Sequence, residues 1–106
     1  MEKSPEKRLN DPVLSLISLA RKAGGIKCGT FLTEDVVKSR KAKLVVISKD
    51  MSEREAKDLK ALCGRNSVPF IVHGTKEGLG ESTGKGLTAC AAITDENLAR
   101  GILKKL

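Results

Sequence analysis

Residues 78–87, GLGESTGKGL, combine four glycines with a lysine in a pattern similar to that of a phosphate-binding loop. Glycines let a backbone approach a phosphate closely, and a lysine adds positive charge. The spacing nevertheless excludes the two common nucleotide fingerprints. A P-loop needs a glycine where Leu79 stands and a hydroxyl side chain where Gly86 stands, and the dinucleotide motif needs a glycine at Thr83. We therefore predict no nucleotide cofactor, and we interpret residues 84–86 as the turn that ends a short helix over residues 75–83.

Metal or nucleophilic chemistry would have to come from Cys28, Cys63, Cys90 or the single histidine, His73. Zinc ligands usually come in close pairs, and the sequence has no CxxC pair, so we predict no metal site. No Ser, Cys or His has a recognisable activating partner in the sequence, which predicts a protein that is not an enzyme. We expect three buried, reduced thiols and a histidine on the polar surface.

An excess of positive charge is the first indication of function. The formal net charge is +7 at pH 7. A basic cluster without any acidic residue is formed by Lys38, Arg40, Lys41 and Lys43. This charge predicts attraction to nucleic acid or another polyanion, and a solvated face is the alternative that composition leaves open.

The length of 106 residues is suited to a single domain. We expect a loose polar tail over residues 1–9 and a folded domain over residues 10–106. The apolar stretches are too short to span a bilayer, and the charged first residues, MEKSPEKR, do not resemble a signal peptide. We therefore expect a cytoplasmic protein with no membrane partner and no cofactor.

Capping residues and apolar residues at helical spacing indicate five helices. The first is capped by Asn10 or Asp11, begins at Pro12, and ends with Arg21 and Lys22 at the negative end of its dipole. The third begins with a capping box at residues 52–55, the fourth is the short helix over residues 75–83, and Thr94 or Asp95 caps the fifth.

The second helix is expected to follow Gly29 and Thr30 and to run to about Lys41. Its expected inward positions are Leu32, Val36 and Val37.

Four strands are predicted between these helices, over residues 26–28, 44–47, 69–72 and 87–93. The run Leu44–Ile47 is entirely aliphatic, which is typical of a strand covered on both faces. Alternation of helices and strands through the whole chain predicts an α/β protein. We expect a three-layer α/β/α sandwich around a four-stranded, mostly parallel or mixed sheet.

Several of these segments resemble the kink-turn RNA-binding ribosomal-protein family, which is the L-seven-Ae, L-thirty-e and S-twelve-e superfamily. The resemblance is carried by Gly29-Thr30 before a helix and by residues 42–50, AKLVVISKD. It continues at residues 68–72, VPFIV, and at residues 79–85, LGESTGK, and it covers residues 12–106. The step from Gly84 to Lys85 and residues 92–96 are similar to the bacterial YlxQ-type branch.

The resemblance implies where RNA would bind. In the family, RNA contacts the start of the second helix and the loop before the last strand. The basic cluster is expected to lie near the same face. The implied partner is a structured RNA, kink-turn-like or ribosomal, with the ribosome as a further partner. The implied RNA-binding residues are Gly29, Thr30, Phe31, Lys38, Arg40, Lys41, Thr83, Gly84, Lys85, Gly86 and Leu87.

Three positions depart from the family's pattern. An Asn and a Glu that contact base edges, and a Lys near the phosphates, correspond here to Phe31, Leu32 and Asp35. These departures predict weaker or differently specific RNA binding, and they leave open a protein–protein interaction module on the same scaffold. We expect Phe31, at the start of a helix, to be a core or staple residue rather than a platform for a base.

Overall fold

Helices and strands alternate along residues 11–106, which are the residues that the structure, a computed structural model, describes. Asn10 and the tail expected over residues 1–9 lie outside them. The helices are α1 (Pro12–Lys22), α2 (Thr30–Lys38), α3 (Glu53–Arg65), α4 (Lys76–Thr83) and α5 (Glu96–Lys104). The strands are β1 (Ile26–Cys28), β2 (Leu44–Ile47), β3 (Phe70–Val72) and β4 (Cys90–Ile93).

The four strands form one mixed sheet in the order β1-β4-β2-β3. Strand β2 runs parallel to β3, whereas β4 is antiparallel to both of its neighbours, β1 and β2. The prediction of a mixed four-stranded sheet is therefore confirmed, with antiparallel pairing along β4. As a consequence, the carboxyl ends of β1, β2 and β3 lie at the same edge of the sheet as the first residue of β4.

Helices cover both faces of this sheet, which confirms the three-layer α/β/α sandwich. Helices α2 and α3 pack on one face, with Val37 and Leu59 among their buried side chains. Helices α1, α4 and α5 pack on the other face, through residues such as Ile17, Leu79 and Ile102. All four residues of β2 are buried, as its uninterrupted aliphatic run predicts.

Side-chain caps begin four of the helices. The four capping residues are Asp11, Ser52, Thr75 and Asp95, and each accepts a hydrogen bond from a backbone N–H of the first turn. The predicted cap by Ser52 is confirmed, because its hydroxyl accepts from the N–H of Glu55. The return contact of the box runs between the side chains, since the same hydroxyl donates to the Glu55 carboxylate.

Asp11 also contacts His73, which corrects the expectation of a histidine that is only polar surface. The distance from His73 Nε2 to Asp11 Oδ2 is 2.9 Å, and both side chains are about three-quarters buried. Burial acts to raise the pKa of Asp11, but hydrogen bonds from Leu14 N–H and His73, together with the charge of His73, hold this pKa below its ordinary value. The pair ties the start of α1 to the end of β3.

Two boundaries and one buried position differ from the expectations. Helix α2 ends at Lys38 rather than near Lys41, because Arg40 takes a left-handed conformation with φ of 64°. The N–H groups of Lys41 and Arg40 then bond to the carbonyls of Val36 and Val37, as in a Schellman motif. Strand β4 begins at Cys90 rather than at residue 87, since residues 84–89 are used by the loop that follows α4.

The inward position predicted for Leu32 is wrong. Thr33 is buried beside Val36 and Val37, and Leu32 is 43% exposed. The sequence pattern favoured the more hydrophobic residue, whereas the angle at which α2 meets the sheet decides which of two neighbours faces inward.

The three thiols have different environments. Cys63 and Cys90 are buried as expected, and burial together with the neighbouring Cys90 thiol raises the pKa of Cys63 to about 11. Cys28 is only partly buried, so the expectation of three buried thiols is wrong at this position. Within residues 11–106, no group of His, Cys, Asp and Glu side chains has the arrangement of a metal site. No helix in the same range has the length and apolar character needed to cross a bilayer.

Candidate nucleic-acid interface

The amino end of α2 presents backbone N–H groups that no side chain caps. Gly29 stands at the cap position with φ of 92°, a conformation that glycine adopts at little cost, and it has no side chain to accept a bond. The first-turn N–H groups of Thr30, Phe31 and Leu32 have no acceptor within residues 11–106. Such a helix end favours an anion, because the free N–H groups and the helix dipole both carry partial positive charge.

The loop after α4 is held in a defined shape. Gly84 ends the helix in the left-handed conformation with φ of 72°. The N–H of Lys85 donates to the carbonyl of Gly80 at 2.9 Å, and a Cβ on Gly80 would collide with the carbonyl oxygen of Gly86. The loop therefore lies directly on the backbone of α4.

Two threonines fix the loop further. The hydroxyl of Thr83, which is buried, donates to the carbonyl of Leu79 at 2.8 Å, and the hydroxyl of Thr88 donates to the carbonyl of Gly86 at 3.0 Å. The predicted site residue Thr83 thus shapes the loop from beneath, while Gly84, Lys85, Gly86 and Leu87 are exposed.

A cleft of about 330 Å³ joins this loop to the start of α2. We call it the β1 cleft, since it follows the outer edge of β1. Its lining residues are Arg21, Ile26, Lys27, Cys28, Leu32, Thr83, Gly84 and Lys85. Three of these residues are cations and none is an acid, so the cleft favours anionic groups. The structure therefore brings together the two segments that the resemblance singled out.

Phe31 and Leu87 are the most exposed large apolar side chains in the described part of the chain, at 81% and 77%. The expectation that Phe31 is a core or staple residue is wrong. On a helix with about 100° per residue, Phe31 points away from the buried face that carries Thr33 and Val37. Each of the two segments that form the site thus has one exposed apolar side chain, Phe31 at the start of α2 and Leu87 in the loop.

The basic cluster lies away from these two segments. The N–H of Gly29 donates to the carbonyl of Cys90, the first residue of β4, whereas the N–H of Lys43 donates to that of Ile93, its last residue. Lys38 is the last residue of α2, and Arg40 and Lys41 follow it. The cluster therefore lies at the opposite edge of the sheet, and its expected nearness to the glycine loop is wrong.

Asp35 lies on the exposed side of α2, one turn after Phe31. The resemblance implies a lysine at this position, whereas the chain has an acidic residue in the second turn of α2.

Besides Ile26, three residues of the β1 cleft are not singled out as binding residues by the sequence. Arg21 was assigned only to the helix dipole, Cys28 was expected to be buried, and Lys27 was part of a short strand. Arg21 reaches the cleft because α1 packs along α4, where the Ser18 hydroxyl donates to the carbonyl of Ser82. Packing between two helices that are far apart in sequence leaves no local signal.

Comparison with known proteins places this arrangement in a family. The sequence model of the family described as "Ribosomal protein L7Ae/L30e/S12e/Gadd45 family" matches residues 11–103, which is nearly all of the described chain.

Two solved structures illustrate the similarity. A protein of unknown function from Bacillus halodurans superposes with a TM-score of 0.86 and is 26% identical, covering 90% of this chain and 96% of that one. The 15.5kD RNA binding protein of Giardia lamblia superposes with a TM-score of 0.74 and is 25% identical, covering 88% of this chain and 80% of that one.

Proposed function

We propose, because this chain belongs to the ribosomal protein L7Ae/L30e/S12e/Gadd45 family, that it binds structured RNA. The observation that carries the proposal is the junction of an uncapped helix end with a glycine loop at the same edge of the sheet. The similar Giardia protein is described as RNA-binding, which supports the same activity here. The proposed action is binding without turnover.

Phosphates are the groups best suited to the centre of this site. The free N–H groups of Thr30, Phe31 and Leu32 offer donors at the positive end of α2, and Lys85 adds a full charge from the facing loop. The positive φ of Gly29 and the exposed backbone at Gly86 leave room for a close approach of the RNA backbone. These contacts are independent of base sequence.

An unpaired RNA base is the second chemical group that suits this site. Structured RNA offers bases that are splayed out of loops and bulges, and aromatic side chains bind them by stacking. Phe31 stands where the family's pattern has an Asn that contacts base edges, and an aromatic ring cannot make such hydrogen bonds. Phe31 and Leu87 therefore favour contact with a base face over readout of its edge, which gives broad rather than strict base preference.

The finer assignment follows the resemblance. We propose that the chain is a YlxQ-type protein of the bacterial branch, that its RNA is kink-turn-like or ribosomal, and that it acts in the cytoplasm, associated with the ribosome. The substitutions at Phe31, Leu32 and Asp35 support kink-turn binding of reduced affinity, since each removes a polar or charged contact of the family's pattern.

Binding can be tested by fluorescence anisotropy with a kink-turn RNA and an unbroken RNA duplex of equal length, at two salt concentrations. We expect tighter binding to the kink-turn RNA and a steep loss of affinity with salt. Lys85→Glu should weaken binding and flatten the salt dependence. Lys57→Glu, which makes the same charge change on the outer side of α3, is the matched control and should have little effect.

The exposed Phe31, Leu32 and Leu87 also favour the alternative of a protein-interaction module on the same scaffold. The two functions differ in their dependence on salt, because apolar contacts are only weakly screened. No RNA binding by the unaltered chain, together with salt-insensitive binding of a protein through Phe31 and Leu87, would replace the RNA proposal with this one.

A further inference from the structure

The guanidinium group of Arg21 packs directly against the backbone of Gly84. A Cβ on Gly84 would lie 2.6 Å from both Cζ and Nη2 of Arg21, and 2.9 Å from its Nε. A side chain at position 84 would take the space that the guanidinium group occupies, and it would displace this flexible group. Gly84 therefore has two roles: it ends α4, and its backbone packs against the guanidinium group of Arg21 from α1.

Packing between helices α1 and α4 brings Arg21 to the glycine loop. Helix α1 lies along α4, with Leu14 next to Gly78 near one end and the hydrogen bond from Ser18 to the carbonyl of Ser82 further along. Arg21 makes neither a salt bridge nor a side-chain hydrogen bond within residues 11–106. Within residues 11–106 its donors are therefore unpaired, and the planar fork of an arginine suits the two oxygens of a phosphate.

The rest of the β1 cleft limits the kind of ligand. Lys27 and Lys85 add two further cations, whereas Ile26 and Leu32 supply apolar surface. A bare inorganic anion would use the cations and leave the apolar side uncovered. A nucleotide unit of RNA carries both a phosphate and an apolar sugar and base face, so it matches both parts of the lining.

The outer edge of β1 provides a path into the cleft. In the described sheet β1 pairs with β4 alone, and the side chain of Lys27 is exposed on it. The cleft reaches the first turn of α2, because Cys28 and Leu32, which flank Gly29 in sequence, both line it. A strand bound at the end of α2 can therefore continue along β1 towards the end of α1.

We propose that the β1 cleft binds a phosphodiester of the RNA strand next to the one held at the start of α2, and that Arg21 grips this phosphate. This inference rests on the proposed RNA-binding function and extends it to a second contact surface on the outer side of the Gly84 loop. The contact is made with the backbone, so it adds affinity without adding base preference.

Arg21→Ala is the first test, measured by anisotropy on the kink-turn RNA and on the duplex control. We expect a loss of about tenfold in affinity and a decrease of about 1 in the slope of log K against log salt. Lys22→Ala removes the same charge from the adjacent exposed position outside the cleft and should leave both quantities nearly unchanged. Thermal unfolding of each variant verifies that the fold is intact.

Gly84→Ala tests the contact between Gly84 and Arg21, because the new methyl group would displace the guanidinium group while Arg21 stays in the sequence. Because Gly84 has φ of 72°, the substitution also strains the loop, so we expect RNA affinity to fall at least to the level of Arg21→Ala. We expect Arg21→Ala to cause a smaller further loss in the Gly84→Ala background than in the unaltered chain. If the losses of RNA binding free energy in the two single variants add up in the double variant, the residues act separately. This result would overturn the proposed role of the contact between Arg21 and Gly84.

Cys28 provides an independent readout because it lines the cleft and is the only partly exposed thiol within residues 11–106. We expect the kink-turn RNA to slow modification of Cys28 by N-ethylmaleimide about tenfold when about 90% of the protein is bound. Protection by inorganic phosphate alone, to the same degree, would make the cleft a free anion site and overturn the strand assignment.

The two proposals fail in different ways. If the unaltered chain binds RNA and Lys85→Glu weakens it, but Arg21→Ala matches Lys22→Ala and Cys28 stays reactive, the second contact surface is wrong and the RNA-binding function stands. If the unaltered chain binds neither RNA, both proposals are overturned.

Discussion

The N–H of Gly29 donates a hydrogen bond of 2.9 Å to the carbonyl of Cys90. This single contact joins the residue that caps α2 to the residue at which the glycine loop enters β4. The two segments that form the candidate site are 55 residues apart when counted from Gly29 to Gly84, yet the antiparallel position of β4 beside β1 places them at one edge of the sheet. Their juxtaposition is therefore a property of the sheet, and it does not depend on a ligand.

Replacing Phe31 tests whether a base stacks at the start of α2. We expect Phe31→Ala to weaken binding of the kink-turn RNA by about tenfold, because stacking of a base on an aromatic ring contributes about 1–3 kcal/mol. Stability should change by less than about 0.5 kcal/mol, since the ring is 81% exposed. Anisotropy and urea denaturation measure the two quantities.

Phe70→Ala is the matched control for this prediction. Phe70 lies on β3 under the ammonium group of Lys60, at 5.9 Å from the ring centroid. Its loss should reduce stability and leave RNA affinity unchanged. An RNA affinity that Phe31→Ala does not alter would remove Phe31 from the interface.

Reversing the charge at Asp35 should strengthen RNA binding. The side chain lies on the exposed face of α2 with Phe31, and Asp35→Lys exchanges repulsion of a phosphate for attraction. We expect tighter binding to the kink-turn RNA and an increase of about 1 in the steepness of the salt dependence. Asp58→Lys makes the same change on α3 and serves as the control. An unchanged or weaker complex with Asp35→Lys would mean that no phosphate approaches this face.

The substitutions Gly80→Ala and Gly64→Ala should have opposite effects on the free energy of unfolding. Gly80→Ala would push the carbonyl of Gly86 away from α4, and we expect a loss of about 1–3 kcal/mol together with weaker RNA binding. Gly64→Ala adds a methyl group in open space within α3 and should stabilise the fold by about 0.5–1 kcal/mol, because alanine restricts the unfolded chain. Urea denaturation compares them. Equal stabilities would contradict the close contact of the loop with α4.

The pair Asp11–His73 predicts a loss of stability in acid. The pKa of Asp11 is held below 3.8 in the folded chain, so its contribution is fully present above that pH and is lost as the pH falls through the lower, folded value. Asp11→Asn should reduce this dependence while keeping the cap of α1, because asparagine is as good a capping residue as aspartate. Asp11→Ala should lose a further 1 kcal/mol or so.

The measurement is the free energy of unfolding in urea between pH 6 and pH 3 for these two variants and the unaltered chain. A pH dependence that is the same in Asp11→Asn would show that Asp11 does not carry it.

Local patterns were sufficient for the elements of this protein. The aliphatic run of β2, the capping box before α3 and the glycine that ends α4 each act through neighbours in sequence, and each lies where it was predicted. The resemblance of residues 42–50 and 79–85 to a known family added the two segments of the site. Boundaries failed where a left-handed residue such as Arg40 ended a helix that the pattern allowed to continue.

Side-chain directions and distant pairs needed the tertiary structure. The sequence places Phe31 and Thr33 two residues apart, but only the packing of α2 on the sheet exposes the first and buries the second. Tertiary packing also explains three other arrangements. These are the contact of Arg21 with Gly84, the contact of His73 with Asp11, and the separation of the basic cluster from the glycine loop. Propensity and capping are energies between neighbours in the chain, whereas these arrangements depend on how helices cross a sheet, which is decided by close packing among residues far apart in sequence.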